Sequence, residues 1–299
     1  MIHATLIDPR TLRQYLHTPG WRIFDCRFDL GDPMKGEQAY CAGHLPGAEY
    51  AHLDRDLSGP ITTRTGRHPL PSPDLLAHWL GTRGVDATTQ VVVYDDAQGA
   101  MAVRLWWMLK WLGHAPVALL DGGWQAWLAA DLPIDTRRPS PPSTTLNRTH
   151  DDACVIETSA LENALARNAI RLIDVRTRPR FRGEHEPIDP VAGHIPGAVN
   201  LPYLDHLGPD GRFLDRDSLR RLYSPLLAGH ATDTVTFMCG SGVTACHGVL
   251  ALEHAGIGRA RLYPGSWSEW ICDPSRAIAI GAGSGAALTR AKIDARSDH

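Results

Sequence analysis

The chain repeats itself, and this internal duplication restricts its possible folds more than any other feature of the sequence. Four blocks recur in the same order at separations of 143 to 150 residues. The pairs are FDCR at 24–27 with IDVR at 173–176, GHLPGA at 43–48 with GHIPGA at 193–198, VVVYD at 91–95 with VTFMC at 235–239, and DGGWQAW at 121–127 with PGSWSEW at 264–270. Matched blocks in one order indicate a tandem duplication, so we expect two copies of one fold.

Each copy alternates short apolar runs with amphipathic stretches. In the second copy this pattern predicts helices over 160–168, 217–228 and 243–255, and strands over 170–176, 234–239 and 259–263. Short apolar runs without alternation suit strands that are covered on both faces. Alternating strands and helices imply parallel sheets with right-handed crossovers. The sequence therefore predicts an α/β protein of two tandem domains, each a parallel sheet flanked by helices.

Composition and chain length suggest where the domains begin and end. A chain of 299 residues exceeds the usual size of one hydrophobic core. A polar stretch rich in Pro, Ser and Thr separates the two copies, and the last residues are small and polar. We predict an N-terminal domain over 1–132, a linker over 133–155, a C-terminal domain over 156–277 and a partly disordered tail over 278–299.

Charge and hydropathy argue against several classes of partner. The formal net charge is −3 and no block of Lys and Arg occurs, so we expect no nucleic-acid partner. No apolar run approaches the roughly 20 residues that span a bilayer, and the first residues lack the pattern of a signal peptide. We therefore expect a cytoplasmic protein with no membrane partner. The six cysteines include no CxxC pair, which argues against a structural zinc site.

One cysteine has an unusual setting, in the loop CGSGVT between a predicted strand and a predicted helix. Cys239 ends the strand, and ligands of open α/β sheets bind beyond such strand ends. Gly240 and Gly242 permit a backbone that turns successive N–H groups toward one centre, and the following helix adds the positive end of its dipole. This cradle favours a thiolate or a terminal persulfide, to which Ser241 and Thr244 can donate hydrogen bonds.

The loop sequence allows two other interpretations. Cys239 could be a buried structural cysteine in a tight turn. In the first copy, however, the matching position is Asp95, an acid where the cradle accommodates an anion, so we expect that copy to keep the fold and lack the nucleophile. A Cys-x5-Arg phosphatase loop would place a phosphate-clamping Arg where Ala245 stands, so a phosphatase is excluded.

The CGSGVTAC loop, the GHxPGA blocks and the LLDGGW and YPGSW segments together resemble the tandem-domain rhodanese superfamily over about residues 5–275. The sequence is most similar to its 3-mercaptopyruvate and thiosulfate sulfurtransferases, and the CGSGVT loop is characteristic of the former. The resemblance implies a sulfurtransferase that needs no metal or organic cofactor. A Cys239 persulfide would carry sulfur from a small-molecule donor to a thiol, cyanide or thioredoxin-like acceptor. The alternative from another class is a non-catalytic persulfide-binding regulatory module.

The same resemblance implies which residues bind the donor. Arg180, in the segment PRFRG, matches an Arg that contacts the donor, and the loop residues Gly240, Gly242, Val243 and Thr244 would line the site. Many mercaptopyruvate enzymes carry a second donor-binding Arg where this chain has an isoleucine. The donor therefore stays open between 3-mercaptopyruvate and thiosulfate. The isoleucine is Ile188, and the candidate replacements for the missing arginine are Arg176, Arg178 and Arg182.

The resemblance further implies a Ser–His–Asp relay. The matching residues are Ser241, His68 and Asp54, with Asp56 as the alternative to Asp54. Such a relay would protonate the enolate of departing pyruvate or polarise its ketone. The other interpretation is that the His and the Asp have structural roles in their loops.

Overall fold

A computed structural model describes residues 2–147 and 149–283, which form two compact units. The first unit comprises residues 2–59, 70–147, 149–152 and 207–213. The second comprises 60–69, 153–206 and 214–283. Two short segments, 60–69 and 207–213, thus belong to a unit other than the one that surrounds them in the sequence.

The first unit is built on a parallel sheet. Its strands are β1 (Leu6–Ile7), β2 (Trp21–Asp25), β3 (Ala48–Tyr50), β4 (Gln90–Tyr94) and β5 (Val117–Leu120). Its helices are α1 (Pro9–Tyr15), α2 (Lys35–Ala42), α3 (Leu53–Asp56), α4 (Pro73–Gly81), α5 (Ala102–Trp111) and α6 (Gly123–Ala129). The strand order is β1-β5-β4-β2-β3, and every residue of β4 is buried, as expected for a strand covered on both faces.

The second unit repeats this plan with four strands. They are β6 (Arg171–Asp174), β7 (Val199–Asn200), β8 (Val235–Met238) and β9 (Arg261–Leu262). Its helices are α7 (Thr158–Ala166), α8 (Arg178–Arg182), α9 (Arg216–Leu227), α10 (Ala245–His254) and α11 (Ser266–Trp270). The strand order is β7-β6-β8-β9, all pairs are parallel, and β8 at the centre is wholly buried.

The repeated sequence blocks make the same contacts in both units. Asp25 and Asp174, which end β2 and β6, each accept a backbone N–H from the residue two positions on and form a buried ion pair with its guanidinium. Those residues, Arg27 and Arg176, also donate to the carbonyl of the glycine that opens the nearby GHxPGA block. The duplication therefore preserves a buried polar network as well as the order of strands and helices.

The predicted α/β class, with two tandem parallel sheets flanked by helices, is confirmed. The helices and strands predicted for the second copy begin and end within two residues of those in the structure. Ile278 and Ala279, at the start of the predicted tail, are buried, and Ala279 exchanges backbone hydrogen bonds with His194. Residues 284–299 of that tail lie outside the described residues. Among the helices that the structure describes, none is long and apolar enough to cross a membrane.

Candidate active site

Cys239 directly follows β8 at the carboxyl edge of the second sheet. The loop 239–244 then leads into α10, for which Thr244 is the N-cap. The strand before the loop is buried throughout, and Cys239 itself is only 4% exposed. The cysteine therefore stands on a rigid element, at the edge where open α/β sheets bind their ligands.

The start of α11 holds the loop by backbone hydrogen bonds. The carbonyl of Cys239 accepts the N–H of Trp267 at 3.1 Å, and the carbonyl of Gly240 accepts the N–H of Ser268 at 2.8 Å. The N–H of Cys239 donates to the hydroxyl of Ser266 at 3.1 Å. Ser266 is buried with φ +53°, a left-handed conformation that is uncommon outside glycine. These bonds fix the backbone on both sides of the cysteine.

Gly242 occupies a position that no other residue fits without strain. Its φ is +76°, and a Cβ atom built on it would lie 2.2 Å from the carbonyl oxygen of Pro264. Val243 is buried, and its carbonyl accepts the N–H of Cys246 as α10 begins. The glycine at 242 lets the loop pass close to the turn before α11, so the sequence-based expectation of a tight backbone turn here matches the geometry.

His68 and Ser241 meet although 173 residues separate them. His68 Nδ1 lies 2.7 Å from Ser241 Oγ, and both side chains are buried. The contact lies within the second unit because the segment 60–69 belongs to that unit. Asp54 belongs to the first unit, in α3, so its role in a relay stays a prediction. Asp56, the alternative, accepts hydrogen bonds from the His52 N–H and the Trp79 indole.

Arg180 lies over the loop and is held by two carboxylates. A Cβ atom built on Gly240 would lie 3.4 Å from Arg180 Nη2 and 3.6 Å from its Nη1. The guanidinium binds Glu186 through Nε and Nη2, and Asp189 through Nη2 at 3.0 Å. The donor-binding residue predicted from the sequence is therefore preorganised beside the residue that follows Cys239.

The pKa values of these two carboxyl groups shift in opposite directions. Burial raises the pKa of the Asp189 carboxyl above its ordinary value, although the charge of Arg67 acts in the opposite direction. Burial also acts on Glu186, but the hydrogen bonds and charge of Arg180 outweigh it and hold the pKa of Glu186 below its ordinary value. Arg180 therefore favours the ionised form of Glu186, which acts as a counter-charge to its guanidinium.

Sequence reasoning missed Arg67, which the structure places at the same loop. Arg67 Nη1 pairs with Asp189 Oδ1, and its Nη2 lies 2.9 Å from the position that a Cβ of Gly240 would occupy. The signal that could have found it is its position directly before His68 in the segment RHPLP. Ser266 was missed as well, and its position in the PGSW block was the available signal.

The corresponding loop of the first unit contains a carboxylate. Asp95 follows β4 and is fully buried. Its two oxygens accept the backbone N–H groups of Ala97, Gly99, Met101 and Ala102 at 2.8 to 2.9 Å. In this unit the loop between strand and helix thus binds an anionic group through its backbone, as the sequence predicted for such a cradle.

Comparison with known proteins identifies the family to which the chain belongs. The profile of the rhodanese-like domain matches the chain twice, over residues 8–130 and 157–272. The chain is 47% identical over 283 residues to a probable 3-mercaptopyruvate sulfurtransferase of Pseudomonas aeruginosa, covering 94% of this chain and 100% of that protein. It is 42% identical over 264 residues to a putative thiosulfate sulfurtransferase of Mycobacterium tuberculosis, covering 87% and 90%.

A solved structure agrees with these matches. The 3-mercaptopyruvate sulfurtransferase from Leishmania major superposes with a TM-score of 0.78 at 33% identity, over 89% of this chain and 74% of that one. The chain belongs to the family of rhodanese-like domain proteins, with two copies of the domain. Its relatives are named as sulfurtransferases, and this protein is a sulfurtransferase that moves sulfur from a donor to an acceptor. The predicted enzyme class is confirmed, and the non-catalytic module is set aside.

Proposed function

We propose that the protein takes sulfur from 3-mercaptopyruvate onto Cys239 and passes it as a persulfide to a thiol, cyanide or thioredoxin-like acceptor. The observation that carries the proposal is the arrangement at the loop, where a guanidinium lies over Gly240 directly after the cysteine. 3-Mercaptopyruvate suits that arrangement, because its carboxylate is separated from the sulfur-bearing carbon only by the ketone carbon and guanidinium binds carboxylate through paired hydrogen bonds. The names of the relatives from Pseudomonas aeruginosa and Leishmania major support the same donor.

The first half-reaction forms the persulfide. The Cys239 thiolate attacks the donor sulfur, an S–S bond forms, and the bond between sulfur and C3 of the donor breaks. The electron pair of that bond leaves as the enolate of pyruvate, which takes up a proton to give pyruvate. In the second half-reaction the acceptor attacks the outer sulfur, the S–S bond breaks, and Cys239 returns as the thiolate.

The residues around the loop have distinct tasks in this scheme. Arg180 binds the donor carboxylate, and the backbone of residues 240–244 stabilises the negative outer sulfur. Ser241, hydrogen-bonded to His68 at 2.7 Å, donates the proton that the enolate needs. The proton lost by the donor thiol balances the one delivered to the enolate, so no oxidant or reductant is required.

Persulfide formation provides the direct test. Protein treated with 3-mercaptopyruvate without acceptor should gain one sulfur atom at Cys239 by peptide mass spectrometry, and cyanide should then release thiocyanate. Cys239→Ser should lose both signals, since the hydroxyl does not replace the thiolate. Cys272→Ser, which changes an exposed thiol in the same unit, is the control that should keep both. Thiocyanate turnover retained in Cys239→Ser contradicts the proposal.

Thiosulfate is the second candidate donor. The relative from Mycobacterium tuberculosis is named for it, and Ile188 stands where a second donor-binding arginine is common in mercaptopyruvate enzymes. With thiosulfate, the thiolate attacks the outer sulfur and sulfite leaves with the electron pair of the broken S–S bond. Measured with cyanide as acceptor, kcat/KM for the two donors distinguishes them, and a higher value for thiosulfate would reverse the assignment.

A further inference from the structure

Arg67 is anchored at the loop by its own backbone segment. The segment 60–69 belongs to the second unit, and the N–H of Arg67 donates to the Ser268 hydroxyl at 3.1 Å. The preceding residue, Gly66, packs so closely that a Cβ built on it would lie 2.6 Å from the carbonyl oxygen of Gly265. The segment therefore packs against the start of α11, the helix that also forms hydrogen bonds with the backbone of Cys239.

The guanidinium of Arg67 shares its place above the loop with that of Arg180. A Cβ atom at position 240 would lie 2.9 Å from Arg67 Nη2 and 3.4 Å from Arg180 Nη2. Any side chain at Gly240 would therefore displace the Arg67 guanidinium. The absence of a side chain at this residue leaves room for two cationic groups next to the nucleophile.

These two guanidinium groups have N–H groups that can still donate hydrogen bonds to a ligand. Asp189 bridges them, accepting from Arg67 Nη1 through Oδ1 and from Arg180 Nη2 through Oδ2. Within residues 2–147 and 149–283, neither Arg67 Nη2 nor Arg180 Nη1 has a hydrogen-bond partner, and the buried Arg67 Nε has none either. Asp189 orients both groups, and Arg67 Nη2 and Arg180 Nη1, which both lie beside Gly240, remain available to an anion.

The arginines that the sequence suggested as replacements for the missing second arginine are engaged elsewhere. Arg176 is buried and pairs with carboxylates on two sides. Arg178 is exposed and Arg182 is half-buried, and each pairs with a carboxylate of its own. Ile188, at the expected position, is 40% exposed. The three heavy atoms nearest to a Cβ built on Gly240 instead belong to Arg67 and Arg180.

We propose that Arg67 is a donor-binding residue that supplies, from the segment 60–69, the second cationic contact that position 188 does not provide. Arg67 and Arg180 together bind the anionic end of the sulfur donor over Gly240. This inference rests on the proposed function, because it presupposes a donor with a carboxylate or a comparable anionic group. Two planar guanidinium forks converging on one carboxylate give orientation as well as charge, which a lysine or an amide does not reproduce.

Steady-state kinetics of Arg67→Gln with 3-mercaptopyruvate and cyanide test the inference. We expect KM to rise by about tenfold or more with kcat within about threefold of wild type, since the lost contact holds the non-reacting end of the donor. Arg67→Lys, which keeps the charge and loses the planar fork, should show a smaller rise in KM and covers the case in which the glutamine variant folds poorly. Arg64→Gln changes an exposed arginine of the same segment and should leave both constants unchanged.

Asp189→Asn separates donor binding from a structural role of the ion pair. It weakens the same pair as Arg67→Gln but leaves both guanidinium groups, so we expect KM at or below the wild-type value. A rise in KM equal to that of Arg67→Gln would show that the pair matters for structure and would overturn the inference. An unchanged KM in Arg67→Gln, with wild-type turnover intact, would overturn it too. A wild-type protein without turnover of 3-mercaptopyruvate contradicts the proposed donor instead, which keeps the two failures distinguishable.

Discussion

Replacing Gly242 with alanine tests how tightly the loop around Cys239 is built. The φ of +76° costs a residue with a Cβ about 1–2 kcal/mol. The new Cβ would also lie 2.2 Å from the carbonyl oxygen of Pro264, well inside van der Waals contact. The Cβ is fixed to the backbone of residue 242 and its contact is a backbone carbonyl, so the loop or the turn before α11 must move to relieve the overlap. Overpacking of this kind adds about 1–3 kcal/mol, and we expect Gly242→Ala to lower the free energy of unfolding by about 2–5 kcal/mol in total.

Gly197→Ala provides a matched control in the same unit. Gly197 has a similar φ of +85°, but the nearest atom to its would-be Cβ is Leu165 Cδ2 at 3.8 Å, an ordinary contact. This variant therefore carries the conformational strain of about 1–2 kcal/mol without the close approach. Urea denaturation of both variants beside wild type separates the two contributions to stability.

The activity of the two variants should differ more than their stability. Movement of the loop displaces the peptide groups around Cys239, so we expect kcat/KM for persulfide formation to fall by about 100-fold in Gly242→Ala. In Gly197→Ala it should stay within about threefold of wild type, since no site residue moves. Equal losses of stability in the two variants would refute the close approach to Pro264 as a cause. A destabilised Gly242→Ala protein with wild-type kcat/KM would refute the link between loop geometry and Cys239 reactivity.

Two further predictions concern the first unit. Asp95→Asn should lower the free energy of unfolding by about 3 kcal/mol, because the amide cannot accept all four N–H groups that the carboxylate binds and leaves buried donors unpaired. Urea denaturation measures this loss of stability, and a loss below about 1 kcal/mol contradicts the prediction. Burial raises the pKa of Glu49 from 4.5 to about 7, with Arg83 Nε 3.6 Å away as a partial counter-charge. Because the folded state binds this proton more tightly than the unfolded chain, stability should fall as pH rises from 4.5 to about 7, by about 1–2 kcal/mol after allowance for solvent screening. Urea denaturation across this range should show a smaller fall for Glu49→Gln, and parallel curves for the two proteins would count against the assignment.

Predictions from local patterns held for the fold. Strands such as β4 and β8 are short runs that are buried on both faces, and this burial leaves an apolar signature in the sequence. The positions of Cys239 and Asp95 could be predicted for the same reason, since each directly follows such a strand. The glycine at 242 also has a local cause, a positive φ that the sequence can signal.

Contacts between distant segments could not be predicted in this way. The resemblance suggested His68, but its 2.7 Å contact with Ser241 joins residues 173 positions apart. The neighbouring His68 was the one local sign of Arg67, and the packing of the segment 60–69 within the second unit is a tertiary feature. Arg176, Arg178 and Arg182 are near Ile188 in the sequence, but their carboxylate partners hold them elsewhere.

The amino-acid sequence alone thus established the duplication, the α/β class and the cysteine loop, because periodicity, strand burial and turn glycines act over a few residues. The charges above that loop depend on packing. Arg67 and Arg180 come from segments more than 100 residues apart, and Asp189 joins them only because the folded chain brings all three to Gly240. Side-chain contacts at such separations follow from the tertiary fold, and no pattern within either segment encodes them.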